Sequence, residues 1–91
     1  MIDYSKLPEH MQDAARRYIE KGIPGGHFLT AVIENNLFLA VCHADEENVR
    51  ALKEWVLFFY NEAPGNCWKS TEAMDAWVKQ GGLHKGLREV A

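Results

Sequence analysis

The chain has 91 residues, of which 47% are hydrophobic and 25% charged, and its formal net charge is −3 at pH 7. This length fits one domain, residues 1–91, because domains usually hold roughly 50 to 200 residues around one core. The acidic balance argues against direct binding of nucleic acid, which needs a basic surface. The apolar run Leu37 to Cys42 is too short for a membrane span, and the N-terminus lacks the regions of a secretory signal. We therefore expect a cytoplasmic protein.

The clearest predicted helix starts at Pro8, after a short N-terminal lead over residues 1–6. Its apolar residues recur at the spacing of one helix face, and Gly22 is placed to end it in the left-handed conformation. We expect this face to be buried: it consists of Met11, Ala14, Ala15, Tyr18 and Ile19.

A tight turn, Ile23-Pro24-Gly25-Gly26, separates this helix from the next apolar stretch. Phe28 to Ile33 shows helical spacing, and Asn35-Asn36 is a natural break before a second apolar stretch, Leu37 to Ala44. Short apolar runs are ambiguous, so a strand is the alternative for Leu37 to Cys42, but we favour a helix. We expect the side chain of Cys42 to lie in the core.

Asp45 is placed to cap a further helix. Its apolar stripe, widened by Trp55 and Phe58, predicts a central helix that is touched on more than one side. The stripe consists of Val49, Leu52, Val56, Phe59 and Tyr60.

A turn over residues 61–66 leads to a last helix, capped by Ser70 or Thr71 and ended by Gly81-Gly82. We expect residues 83–91 to be a short helix or a frayed tail. Together these segments predict an all-α fold, a compact bundle of four to five short helices.

Motifs for catalysis or for a cofactor are absent from the sequence. The four histidines lack the spacing that places two metal ligands on one helix face, so we predict neither a metal site nor a cofactor. Cys67 lies in a turn, where a reactive thiol is conceivable. We favour instead a small residue packed beside Trp68, and we predict no catalytic residue.

The Gly25-Gly26 turn allows an anion-binding interpretation. Glycines before a helix expose backbone N–H groups, and a helix N-terminus attracts phosphate. The lysine and hydroxyl residue of a phosphate-binding P-loop are missing, however, which favours a plain turn. The residues of a possible nucleotide site are Gly25, Gly26, His27 and Thr30, with Arg16 and Arg17 as nearby cations.

Aromatic residues suggest a binding surface. Trp55, Trp68 and Trp77 cannot easily all be buried in so small a domain, and tryptophan and tyrosine are enriched at binding hot spots. We therefore expect at least one of them, with Tyr60, to face a partner. Acidic residues, Glu46, Glu47 and Glu62, complete the predicted surface, although acids at helix starts are also explained by the helix dipole.

Five short stretches are informative together: Leu7 to Asp13, Tyr18 to Pro24, Phe28 to Val32, Tyr60 to Pro64 and Cys67-Trp68. They resemble stretches of small proteins encoded by tailed phages and prophages. The resemblance spans about Leu7 to Leu83 and implies a setting rather than a mechanism, since it carries over no catalytic residue. In such a setting, small acidic accessory proteins often block host machinery, including defence systems, as anti-CRISPR proteins do. No motif of a particular anti-CRISPR family is present.

Two functions of different classes follow from the sequence. The first is a non-enzymatic accessory protein that binds a bacterial host protein, such as a defence component, and inhibits it. The second is a homo-oligomer that sequesters a nucleotide immune signal through the Gly25-Gly26 turn. A small enzyme is a third alternative, with Cys67 or His27 as the residue to test.

Overall fold

A computed structural model describes residues 2–84, and within them the chain forms helices and connecting turns. The all-α prediction is confirmed, and Leu37 to Cys42 is helical. The part of the predicted tail beyond His84 lies outside the described residues. Short 3₁₀ helices cover Gly65–Cys67 and Gly82–His84. The α-helices are α1 (Glu9–Lys21), α2 (His27–Ile33), α3 (Leu37–His43), α4 (Glu46–Arg50), α5 (Leu52–Asn61) and α6 (Thr71–Gln80).

Helix α1 follows the sequence pattern closely. Pro8 is its N-cap, and Gly22 ends it in the left-handed conformation, with φ +69°. Tyr18 and Ile19 are fully buried. The end of α1 packs against the second 3₁₀ helix, where Gly82 has φ +73° and approaches the backbone of Glu20 so closely that a Cβ atom would lie 2.6 Å from it.

Helices α2 and α3 pack closely against each other across a short turn. Asn35 takes a positive φ of 63°, which asparagine tolerates better than most residues, and the Asn36 N–H donates to the carbonyl of Ala31. The Asn36 side chain then caps α3 by accepting from the Leu39 N–H at 3.1 Å. This turn fixes α3 against α2 along the line of Ala40, the buried residue of α3.

The predicted helix after Asp45 is divided at Ala51 into α4 and α5, because Ala51 leaves helical geometry with φ −97° and ψ 16°. Asp45 caps α4 as predicted, accepting from the Asn48 N–H at 2.8 Å. Trp55, Phe58 and Phe59 turn into the core.

Hydrogen bonds connect the last helix to the core. Ser70 caps α6 as predicted, and the Trp77 indole donates to the carbonyl of Tyr18 at 3.0 Å. The Tyr18 hydroxyl donates to the carbonyl of Cys67 at 2.6 Å. α1, α6 and the first 3₁₀ helix are thereby joined through buried polar contacts. Across residues 2–84, no helix combines the length and apolar character needed to cross a bilayer.

Candidate protein-binding surface

Helix α3 presents apolar side chains to solvent. Leu37 is 68% exposed and Phe38 75% exposed, and Val41 and Cys42 are also exposed. Ala40 is the α3 residue that is buried, because the tight connection to α2 brings only that side of the helix against the core. Our prediction that Cys42 lies in the core is therefore wrong.

Helix α5 is apolar on two sides, and only one of them is covered. Trp55 and Phe59 occupy the covered side, whereas Val56 and Tyr60, one helical turn apart, are 48% and 72% exposed. The predicted stripe is thus wrong for Val56, and for Val49 on α4, because both are exposed. Tyr60, which the sequence also places on the partner surface, is exposed as well. Burial of Trp55 and Phe59 removes more apolar area from water than burial of Val56 would, which favours their side of the helix as the core side.

An apolar groove of about 120 Å³ lies between α3 and α5. Trp68 is half-buried here, with its ring centroid 5.6 Å from that of Phe59 and the Lys69 ammonium 5.5 Å from its own centroid. We call this cleft the α3–α5 groove. Its lining residues are Ala31, Val32, Asn35, Asn36, Leu37, Ala40, Leu52, Val56 and Trp68.

The groove and the exposed apolar side chains of the two helices that border it together form the candidate surface. Monomeric proteins rarely expose large contiguous apolar patches, and such patches usually mark interaction sites. We call this surface the apolar face. It consists of the α3–α5 groove together with Phe38, Val41 and Tyr60.

Two of the three tryptophans predicted to bind a partner do not reach the surface. Trp55 and Trp77 are buried, and both indole N–H groups find acceptors inside the protein, on the Asn48 side chain at 3.1 Å and on the Tyr18 carbonyl. The prediction is wrong for these two residues because their polar atoms are satisfied in the core. Trp68 and Tyr60 remain accessible.

The acidic residues of the predicted surface are exposed but do not cluster. Glu46 and Glu47 lie at the start of α4. Glu46 pairs with Arg50 at 3.2 Å, and Glu47 lies 3.9 Å from the His10 ring. Glu62 follows the end of α5 and accepts from the Asp3 N–H at 3.1 Å. They therefore flank the α4–α5 segment at its two ends.

The contacts do not assemble the predicted anion site. Arg16 lies over the Tyr4 ring at 4.8 Å and near Glu20, and Arg17 lies near Asp13 on the same helix. His27 instead stacks on His43 of α3, with ring centroids 5.1 Å apart. Gly25 and Gly26 lie in the turn before α2, and Thr30 lies in the first turn of this helix, which has only seven residues.

The Cys67 thiol is buried, and burial raises its pKa to about 12. Such a thiol is protonated at neutral pH, which disfavours a nucleophilic role. Its position beside the Trp68 segment agrees with the packing role that we favoured. No group of three or more His, Cys, Asp or Glu residues in the described part of the chain is arranged to hold a metal ion.

Comparison of the chain with protein-family models, curated proteins and solved structures finds no match.

Sequence reasoning missed the exposed α3 members of the apolar face, Leu37, Phe38 and Val41. A signal for them was present. Six consecutive apolar residues, Leu37 to Cys42, wind completely around a helix, so one packed side cannot cover them all.

Proposed function

We propose that this chain is a non-enzymatic accessory protein that binds a bacterial host protein through the apolar face and inhibits it. The observation that carries the proposal is the exposure of Phe38 and Tyr60 beside an apolar groove. Aromatic anchors next to a well-formed pocket are typical of the residues that dominate binding energy.

The surroundings of the groove support a protein partner. Its lining is mainly apolar and carries no charged residue, while the ammonium of Lys69 stands beside the lining residue Trp68. An apolar centre with a polar rim is the usual anatomy of a protein interface.

The class of partner comes from the resemblance to proteins of tailed phages and prophages. An accessory protein of this kind meets host proteins in the bacterial cytoplasm, and we propose a defence-system component as the target. Inhibition then requires no chemistry from this chain, since occupying a surface of the target is sufficient.

Capture from a bacterial lysate tests this function. The immobilised chain is compared with Phe38→Asp, which places a charge on the apolar face, and with Ile23→Asp, which changes an exposed apolar residue after α1. We expect mass spectrometry to find a host protein enriched by the parent chain and by Ile23→Asp but lost with Phe38→Asp.

Two results would contradict the proposal. One is that no host protein is enriched, or that Phe38→Asp captures the same protein equally well. The other concerns inhibition: a captured protein whose own activity is unchanged by saturating amounts of the purified chain is not its target.

A further inference from the structure

The apolar face carries both a projecting side chain and a recess. Phe38 stands out from α3, and the α3–α5 groove lies beside the same helix. We propose that, in the absence of the host protein, a second copy of this chain covers the apolar face, with Phe38 of each copy in the groove of the other. This inference rests on the proposed binding role of the face and names a further partner for it.

The arrangement of residues around α3 fits a two-fold axis. Each residue of an α-helix is rotated about 100° from the one before it. Leu37 and Val41, one turn apart, therefore form a ridge, with Phe38 on one side of it and the groove residue Ala40 on the other. A two-fold axis that runs parallel to α3 over this ridge brings each Phe38 to the groove of the other copy, as a self-complementary interface requires.

The groove has a suitable size and character for a phenyl ring. An engineered apolar cavity of about 150 Å³ binds benzene. The α3–α5 groove, at about 120 Å³ and open on one side, offers similar room. Its lining residues are uncharged, so insertion of Phe38 would desolvate no charged side chain.

The exposed area of the apolar face is also close to the apolar area that a dimer interface buries on each partner. Phe38 and Tyr60 together expose roughly 300 Å². Leu37, Val41 and Val56 bring the apolar area to roughly 450 Å² per copy. A standard interface buries about 800 Å² per partner, of which about 65% is apolar in homodimers. The apolar face therefore supplies most of one such interface.

Sedimentation velocity over a range of protein concentrations tests this pairing. We expect the mass to rise from 10.4 kDa to twice that value as concentration increases. Phe38→Ala should weaken the dimer by about 30-fold or more, since the residue acts twice in a symmetric interface and fills a pocket. Its exposure in the monomer means that the melting temperature measured at low concentration should stay unchanged.

Two neighbouring residues of α5 provide a matched control. Val56 and Leu57 are similarly exposed, but Val56 lines the groove, whereas Leu57 lines a separate cavity with Lys53 and Phe58. We expect Val56→Gln to weaken the dimer and Leu57→Gln to leave it intact. A chain that remains monomeric up to millimolar concentration overturns the inference, and so does equal weakening by both variants.

The outcomes separate this inference from the proposed function. A monomeric chain that still captures a host protein through Phe38 overturns the dimer and leaves the function standing, with the groove occupied by the host protein. A dimer that depends on Phe38, in a chain that captures nothing from lysate, supports the inference and overturns the function.

Discussion

The indole N–H of Trp55 donates a hydrogen bond to the side chain of Asn48 across the junction between α4 and α5, and both residues are buried. The bond joins the two helices where Ala51 interrupts the helical path. It also gives the indole N–H of Trp55 an acceptor, which allows this large side chain to be buried in the core.

Replacing Asn48 with leucine should destabilise the protein by about 1–3 kcal/mol, because the buried Trp55 N–H loses its acceptor. Urea denaturation measures the change. The double variant Asn48→Leu/Trp55→Phe removes donor and acceptor together, so we expect less destabilisation than the sum of the two single variants. Strict additivity would show that the hydrogen bond contributes nothing.

Gly82 should tolerate no side chain. A Cβ atom there would lie 2.6 Å from the backbone of Glu20 and of Gly22, and φ is +73°. We expect Gly82→Ala to lower the free energy of unfolding by about 2 kcal/mol or more. Gly65→Ala is the control, since a Cβ atom at Gly65 would meet nothing within 4 Å. Thermal or urea denaturation compares them, and equal stability of the two variants would contradict the described packing.

The two cysteines should differ in reactivity. In the native protein at neutral pH, a thiol reagent should modify one equivalent, at exposed Cys42, while Cys67 reacts only after unfolding. Burial keeps Cys67 inaccessible and raises its pKa to about 12. The Cys42→Ser variant should take up no reagent until denaturant is added. Rapid labelling of that variant would show that Cys67 is accessible and would contradict its burial in the core.

Acid should weaken the link between α1 and α4. The Asn48 N–H and then the His10 ring, 2.8 Å away, hold the pKa of Asp45 below its usual value. A carboxyl group whose pKa is lower in the folded state stabilises the protein fully above its unfolded-state pKa, and this contribution is lost as pH falls through the folded-state value.

The melting temperatures of the parent chain and Asp45→Ala should therefore differ most near neutral pH. The difference should shrink as the pH is lowered below about 3.9, the usual pKa of an aspartate. Thermal denaturation at several pH values measures this. A difference that stays constant down to pH 2 would show that the charge of Asp45 plays no part.

Local signals in the sequence predict the helices well. The ends of α1 and α6 follow from Gly22 and from Ser70 because caps depend on residues within one turn. The burial of Tyr18 and Ile19 likewise follows from a single apolar face with a charged opposite face.

The side of α5 that faces the core is not predictable from spacing, because Trp55 and Val56 both belong to apolar stripes at helical intervals. The choice depends on which side chains pack against Tyr4, Phe28 and Trp68, and that is a tertiary property. The exposure of α3 has the same origin: the tight turn at Asn35 and Asn36 allows only Ala40 to reach the core.

The central claim is that the apolar face contacts a host protein, and a photocrosslinking amino acid at position 38 tests it most directly. The same amino acid at position 57, on the other side of α5, is the control. After irradiation in bacterial lysate, our account predicts a covalent product with one host protein from position 38 and none from position 57. No host product from position 38, or the same products from both positions, would contradict it.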